Sequence, residues 1–214
     1  MGGGCAGHAR AERSGRVQWR NSDIRFGLAA VSLHWLVAAL FLFMLALGVW
    51  MTRLPLTDPW TFPAYQLHKS IGATIFLLVC ARIAWRAANV PPPLPAALKL
   101  YERALARATH WGLYAALVLM PLTGWTIVSA SPLGFPTVLY GLVPLPHIGF
   151  VADHPQKAAI GTAASWAHWT IAIAATGLVA LHIGAALWHH FARRDDVLTR
   201  MLPSRVLFRK GNGT

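Results

Sequence analysis

Long apolar stretches alternate with short polar segments along this chain of 214 residues. Four stretches reach the length of about 20 residues that a helix needs to cross a bilayer, and they cover residues 26–52, 64–88, 108–129 and 165–190. The first two connections are short or interrupted by proline, which cannot continue a helix. The third, residues 130–164, is long and rich in proline and glycine, so we expect it to fold back over one end of the bundle. The pattern predicts an all-α integral membrane protein, a four-helix transmembrane bundle.

The composition supports a membrane protein and argues against a nucleic-acid partner. With 56% hydrophobic and 12% charged residues, the chain is too apolar for an ordinary soluble domain. A formal net charge of +12 would suggest nucleic-acid binding if the basic residues covered a soluble fold. They lie instead in blocks between the apolar stretches, as topology signals do. We therefore expect lipid around the chain and no nucleic acid.

The same basic residues predict the orientation. All but three of the 19 Lys and Arg residues lie in the N-terminal tail, in and after the second apolar stretch, or in the C-terminal tail. The opposite side has only Arg53, Lys69 and Lys157, so the positive-inside rule places both termini in the cytoplasm. The predicted domains are a basic, disordered tail at residues 1–25, a transmembrane domain at 26–190, and a cytoplasmic tail at 191–214.

Four histidines fall within the apolar stretches, namely His34, His68, His168 and His182. An ionisable side chain inside a membrane is costly and usually marks a function, although a single histidine could simply hydrogen-bond to a neighbouring helix. His168 and His182 are 14 residues apart, a rotation of about 1400° that falls about 40° short of four turns, with a rise of about 21 Å. One helix therefore presents two imidazoles on one face at two depths.

The other two histidines lie at matching depths. His34 is about 12 Å inside the cytoplasmic end of its stretch, level with His182, whereas His68 and His168 both lie about one turn from the outer end. Two pairs at two depths are what two stacked bis-histidine haems require. Two axial nitrogens leave the iron no open position for oxygen, which favours an electron carrier over an oxygenase. The sequence has no Cys-x-x-Cys-His run for covalent attachment, so the haems should be b-type.

Other uses of clustered histidines fit less well. Zinc needs three or four converging ligands, and a proton or ion transporter commonly carries intramembrane carboxylates, which do not accompany these histidines. A haem-free transporter or structural bundle therefore remains only as an alternative. Gly72 and Gly184, close to His68 and His182, could let a flat macrocycle approach the backbone or could serve plain helix packing.

The motifs around these histidines keep a characteristic order and spacing. They are Ser32-Leu33-His34-Trp35, His68-Lys69-Ser70-Ile71-Gly72, RIAWRAANVPPP at residues 82–93, His110-Trp111-Gly112-Leu113-Tyr114, and His182 followed by His189-His190-Phe191. Together they resemble the bacterial cytochrome b561 family over about residues 22–203.

The resemblance implies a bacterial inner-membrane protein of several spans, with two haems b whose iron has His34 with His182 and His68 with His168 as axial ligands. In the best-understood relatives superoxide is the outer donor and ubiquinone the acceptor. The implied activity is thus that of an oxidoreductase of the superoxide:ubiquinone type, moving electrons from a periplasmic donor to membrane quinone. Other relatives work with partner dehydrogenases or cytochromes, so a membrane anchor and electron-transfer subunit is the alternative.

Five further residues are candidates for supporting roles. Lys69 could attract an anionic donor or pair with a haem propionate, and Arg82 could neutralise a propionate of the inner haem. His110, His189 and His190, towards the cytoplasmic ends of their stretches, could contact a propionate or a quinone carbonyl and its proton. Ordinary interfacial anchoring would also explain the two cations.

Overall fold

Four long helices dominate the computed structural model, which describes residues 18–93 and 98–202. In chain order the elements are α1 (Leu28–Met51), α2 (Thr61–Ala88), α3 (Leu100–Ala130), β1 (Thr137–Leu139), β2 (Val143–Leu145), α4 (Gly149–Ala152) and α5 (Lys157–Trp188). Helices α1, α2, α3 and α5 are each long and apolar enough to cross a membrane. The predicted all-α, four-helix membrane bundle is confirmed. Below, the end of the bundle that carries both chain termini is the inner end, and the opposite end is the outer end.

Three of these helices begin earlier than hydropathy predicted. Helix α2 begins at Thr61 instead of residue 64, α3 at Leu100 instead of 108, and α5 at Lys157 instead of 165. Hydropathy marks the part of a helix that sits in hydrocarbon, whereas backbone hydrogen bonding continues into the polar interface. At the start of α3, the Lys99 backbone N–H donates to Glu102 Oε2 at 2.8 Å, which caps the helix among charged residues.

The helices do not pack equally closely. Helix α3 lies along α5 over the longest contact, and α1 lies along α2. Within the described residues, α5 has almost no backbone contact with α1 or α2. Side chains join them at mid-height, where Phe41 of α1 packs with Ala116 of α3 and with Ala175 of α5, which is 0% exposed. Space for inserted groups therefore lies above and below this apolar cluster.

The third connection folds back over the outer end, as its composition predicted. Strands β1 and β2 form an antiparallel hairpin that is tied to α2. The Tyr140 backbone N–H donates to Ser70 Oγ at 2.9 Å, and the Tyr140 hydroxyl lies 2.7 Å from Thr74 Oγ1. Because Ser70 and Thr74 follow His68 along α2, the hairpin covers the outer end beside that histidine.

The inner end is fastened by contacts from both ends of the chain. The Leu28 N–H donates to Gln18 O at 2.8 Å, and Asn21 Nδ2 donates to the carbonyl of Asn89, after α2, at 3.1 Å. Trp35 Nε1 donates to Met201 O at 2.7 Å, joining α1 to the segment after α5. Residues 1–17 and 203–214 lie outside the described residues, so the proposed tails at 1–25 and 191–214 stay predictions.

Candidate functional site

The structure brings the four intramembrane histidines together in two pairs. The inner pair is His34 of α1 and His182 of α5, whose ring centroids are 6.1 Å apart at an interplanar angle of 75°. The outer pair is His68 of α2 and His168 of α5, with centroids 6.4 Å apart at 60°. Both pairs lie on the side of the bundle where the backbone of α5 stays apart from the backbones of α1 and α2. These are the pairs that the depths along the sequence predicted.

Both separations fit one metal ion between two imidazoles. A metal–nitrogen bond of about 2 Å on each side, plus the radius of each ring, places the centroids about 6 Å apart. His110 of α3 also lies near the inner pair, but its ring centroid is only 5.3 Å from that of His182. It stands on α3, the helix that packs along α5 over the longest contact. Three imidazoles therefore meet at the inner end, and two at the outer end.

A threonine on α3 contacts His168 of the outer pair. Thr123 Oγ1 lies 2.9 Å from His168 Nδ1 and also 2.9 Å from the carbonyl oxygens of Leu119 and Met120. A hydroxyl has one hydrogen, and those carbonyls can only accept. When the hydroxyl hydrogen is donated to one of these carbonyls, Thr123 can accept a hydrogen bond from His168 Nδ1–H. That tautomer leaves the Nε2 lone pair of His168 free for a metal.

Two glycines give the outer rings their room, and the sequence interpretation missed this role. A Cβ on Gly48 of α1 would lie 3.4 Å from His68 Cε1, and one on Gly124 of α3 would lie 3.5 Å from His168 Cε1. An alanine at either position would just touch the neighbouring imidazole ring, so a larger side chain there would displace the ring. The glycines considered from the sequence lie elsewhere: a Cβ on Gly72 would meet Met44, and one on Gly184 would meet nothing within 4 Å.

His68 carries a buried ring nitrogen that has no hydrogen-bonding partner among the described residues. An unsatisfied buried polar atom costs about 1–3 kcal/mol, so native proteins rarely keep one without a ligand or water. That nitrogen is Nδ1, on the side of Gly48, and the facing imidazoles of His68 and His168 are the donor set that fits a metal-centred group.

An arginine lies against the inner pair. Arg82 Nη1 is 2.8 Å from His34 Nδ1, and Arg82 Nε donates to the Tyr114 hydroxyl at 3.0 Å. The guanidinium carbon also stands 5.6 Å from the centre of the Tyr114 ring. Since a guanidinium only donates hydrogen bonds, it is held at this site as a fixed cation, available to a carboxylate.

The remaining candidates lie around the two ends of the bundle. Lys69 Nζ is 3.5 Å from Pro136 O at the start of the outer hairpin. His190 stacks edge-on against Phe191, apart from both pairs. His189 is hydrogen-bonded through Nδ1 to the carboxylate of Asp195, a partner that the sequence interpretation did not identify.

Comparison with known proteins identifies the family to which this arrangement belongs. Residues 25–204 match the family described as prokaryotic cytochrome b561. The chain belongs to this family. It is therefore a multi-pass inner-membrane protein of electron transport that uses b-type haem, as its four spans and buried histidines indicate.

Three relatives cover nearly the whole bundle. "Cytochrome b561 homolog 2" of Escherichia coli is 35% identical over 188 residues, 87% of this chain and 95% of the relative. "Probable superoxide oxidase CybB" of Yersinia pestis is 25% identical over 182 residues, 85% of this chain and 97% of that protein. "Cytochrome b561 homolog 1" of Escherichia coli is 26% identical over 189 residues, 85% and 98% of the two chains.

Proposed function

We propose that this cytochrome carries single electrons across the membrane through two b-type haems. His34 and His182 hold the inner haem, and His68 and His168 hold the outer haem. The observation that carries the proposal is the pair of imidazole separations, 6.1 Å and 6.4 Å, at two depths along α5. Two ligands on opposite sides of one iron account for both distances.

The haem supplies a low-spin iron that gains or loses one electron with little rearrangement. The surrounding residues orient the ligands and exclude water. Thr123 would accept a hydrogen bond from His168 Nδ1–H and so keep Nε2 free for iron. Arg82 also affects the tautomer of His34. Its guanidinium can only donate to Nδ1, so in this contact the hydrogen of the His34 ring is on Nε2. Paired with a haem propionate instead, Arg82 would no longer donate to Nδ1, so His34 could carry its hydrogen there and offer Nε2 to iron. The bond to the Tyr114 hydroxyl would keep the guanidinium at the site.

The apolar cluster at mid-height separates the two haem sites. Ala175 lies midway between His168 and His182 on α5, about 10 Å from each along the helix axis. Phe41 and Ala116 close around it, so an apolar layer lies between the two sites. Electrons can cross such a layer, whereas an ion would have to leave its water to do so.

The outer and inner ends suit different reaction partners. Lys69 follows His68 on α2 and contacts the outer hairpin segment at Pro136 O, and this cation favours an anionic one-electron donor. Superoxide is such a donor, and the Yersinia pestis relative is named for its oxidation. The acceptor we propose is membrane quinone at the inner haem, beside His110 and Arg82.

A haem count tests the ligand assignment. The purified wild-type protein should contain two haems b per chain by its pyridine haemochrome spectrum. His68→Ala and His182→Ala should each lose one haem, a different one in the reduced-minus-oxidised spectrum. His147→Ala, in the outer connection, and His110→Ala should both keep two. One haem in the wild type, or loss of a haem in His110→Ala, would contradict the pairing.

A second assay addresses the donor and the acceptor. The isolated protein should oxidise enzymatically generated superoxide and reduce a soluble quinone, and Lys69→Gln should slow superoxide oxidation several-fold, most strongly at low salt. Arg53→Gln, the removal of another outer cation, is the matched control. A protein that binds two haems but is inert without a dehydrogenase or c-type cytochrome would instead be an electron-transfer subunit.

A further inference from the structure

The stripe of α5 that holds the haem ligands continues beyond the inner pair. His168, Ala175, His182 and His189 recur every seven residues. Seven residues turn a helix by about 700°, about 20° short of two full turns, so all four share one face. His189 therefore lies below His182 on the side where the inner haem would be held, about 10 Å closer to the inner surface. Its ring is 14% exposed, so it borders both the bundle interior and the aqueous side.

The helix changes its hydrogen bonding at this histidine. Residues His189–Arg193 form a π-helical turn. Such turns are rare in proteins as a whole, and many of those that occur lie at functional sites. The turn brings Asp195 back so that its carboxylate bonds to His189 Nδ1, while the Asp195 backbone N–H donates to His189 O at 3.1 Å. The Val197 N–H donates to the other carboxylate oxygen, Asp195 Oδ1, at 3.2 Å. The carboxylate is thus fixed on two sides.

The hydrogen-bonded pair of His189 and Asp195, called the dyad below, is not needed to hold this segment of the chain in place. Arg193 of the same turn pairs with Glu102 on α3, and Trp35 of α1 holds the carbonyl of Met201. Arg200 pairs separately with Asp196. These contacts already fasten the segment to both neighbouring helices.

The dyad has the form of an oriented proton carrier. A carboxylate accepting from Nδ1 keeps the hydrogen there and leaves the Nε2 lone pair free to take a proton. Imidazole is the side chain whose ordinary titration lies closest to neutral pH. We propose that His189, held by Asp195, delivers protons from the inner aqueous side to a quinone reduced beside the inner histidine pair. This inference rests on quinone being the acceptor.

The reaction balances with the groups already named. One quinone takes two electrons and two protons, one on each carbonyl oxygen, and becomes the quinol. The electrons would be supplied one at a time by the inner haem that His34 and His182 would hold, and they would come originally from the one-electron donor at the outer end. Each proton leaves His189 Nε2 and is replaced from water of the inner side. A path within the protein is needed because a quinone in the bilayer has no bulk water beside it.

Rates of haem oxidation test the proposal on the full-length, haem-loaded protein. The haems are reduced without oxygen and then mixed with either a soluble ubiquinone or ferricyanide, which accepts an electron without a proton. His189→Gln should slow oxidation by the quinone tenfold or more and leave oxidation by ferricyanide unchanged. Asp195→Asn should slow the quinone reaction several-fold. Asp196→Asn, which removes the neighbouring carboxylate and its pair with Arg200, is the matched control and should match the wild type.

Two further readouts separate proton delivery from a structural role. In heavy water the wild-type quinone reaction should slow, and the ferricyanide reaction should not. In reduced protein with 15N-labelled histidine, a strongly downfield Nδ1–H signal should disappear in Asp195→Asn and remain in Asp196→Asn. Absence of that signal in the wild type would overturn the dyad.

The failures are distinguishable. If the wild type reacts with quinone and His189→Gln does so equally fast, proton delivery by His189 is wrong while the quinone acceptor stands. If His189→Gln slows both oxidants alike, the residue is structural and the inference is again wrong. If wild-type haem reacts with ferricyanide but never with quinone, the proposed acceptor and the inference both fall.

Discussion

Replacing Thr123 by valine should weaken the outer haem site specifically. Valine keeps the branched shape and nearly the same volume, so the packing between α3 and α5 is preserved while the hydroxyl is lost. The bond from His168 Nδ1 to Thr123 Oγ1 is then lost. If His168 holds haem as proposed, Nε2 is committed to iron, so the hydrogen must stay on Nδ1 and loses Thr123 as its acceptor. Without haem the ring can change its tautomer, so the cost falls on the bound state alone.

The size of the effect follows from that unsatisfied group. A buried donor left without a partner costs about 1–3 kcal/mol, and a tenfold change in affinity corresponds to about 1.4 kcal/mol. His168 is only partly buried, which places the cost towards the lower part of that range. We expect the outer haem to bind about tenfold more weakly. A loss of this size is common when a residue that is hydrogen-bonded to a metal ligand is replaced.

Haem transfer from the purified protein to an excess of a haem-scavenging apoprotein measures this change for each site. Thr126→Val is the matched control, because Thr126 lies on the same helix and bonds only its own backbone, at Leu122 O. Thr123→Ser should restore the wild-type rate. Equal haem loss in Thr123→Val and Thr126→Val, or loss from the inner site instead, would refute the argument that Thr123 sets the tautomer of His168.

Three further changes test the surroundings of the haem sites. Arg82→Gln should lower the midpoint potential of the inner haem by about 40 mV, near 1 kcal/mol, in a redox titration, because a nearby cation favours the state that has gained an electron. Gly27→Ala should lower the thermal unfolding midpoint, since its Cβ would lie 2.3 Å from Trp19 O, whereas Gly177→Ala, with nothing within 4 Å, should not. Ala175→Leu should destabilise the bundle by about 1–3 kcal/mol in the same thermal assay, because the site is completely buried.

The histidine pairs show how much of the candidate site can be predicted from positions in the sequence alone. The rise and rotation of a helix are constant, so the positions of His168 and His182 already fix their common face and their separation in depth. The ends of the apolar stretches then set the levels of His34 and His68. Both pairings could therefore be predicted without knowing how the helices pack.

The residues that support those pairs were decided by the tertiary structure. Thr123 lies 45 residues from His168, and Arg82 lies 48 residues from His34. Whether such residues meet depends on how each helix is rotated about its axis, which hydropathy does not specify because lipid-facing and haem-facing positions are both apolar. The same holds for Gly48, whose approach to His68 depends on the distance between α1 and α2.

The sequence by itself determined the number of spans, the all-α bundle and the two levels of histidine, because each depends on local properties of the chain. Three helices begin earlier than predicted because backbone hydrogen bonding continues into the polar interface, and side-chain hydropathy does not mark those residues as helical. The partner of His189 depended on a π-helical turn that brings Asp195 back onto the helix. Only the folded chain shows that return, because hydropathy and composition do not mark where a helix changes to π-helical hydrogen bonding.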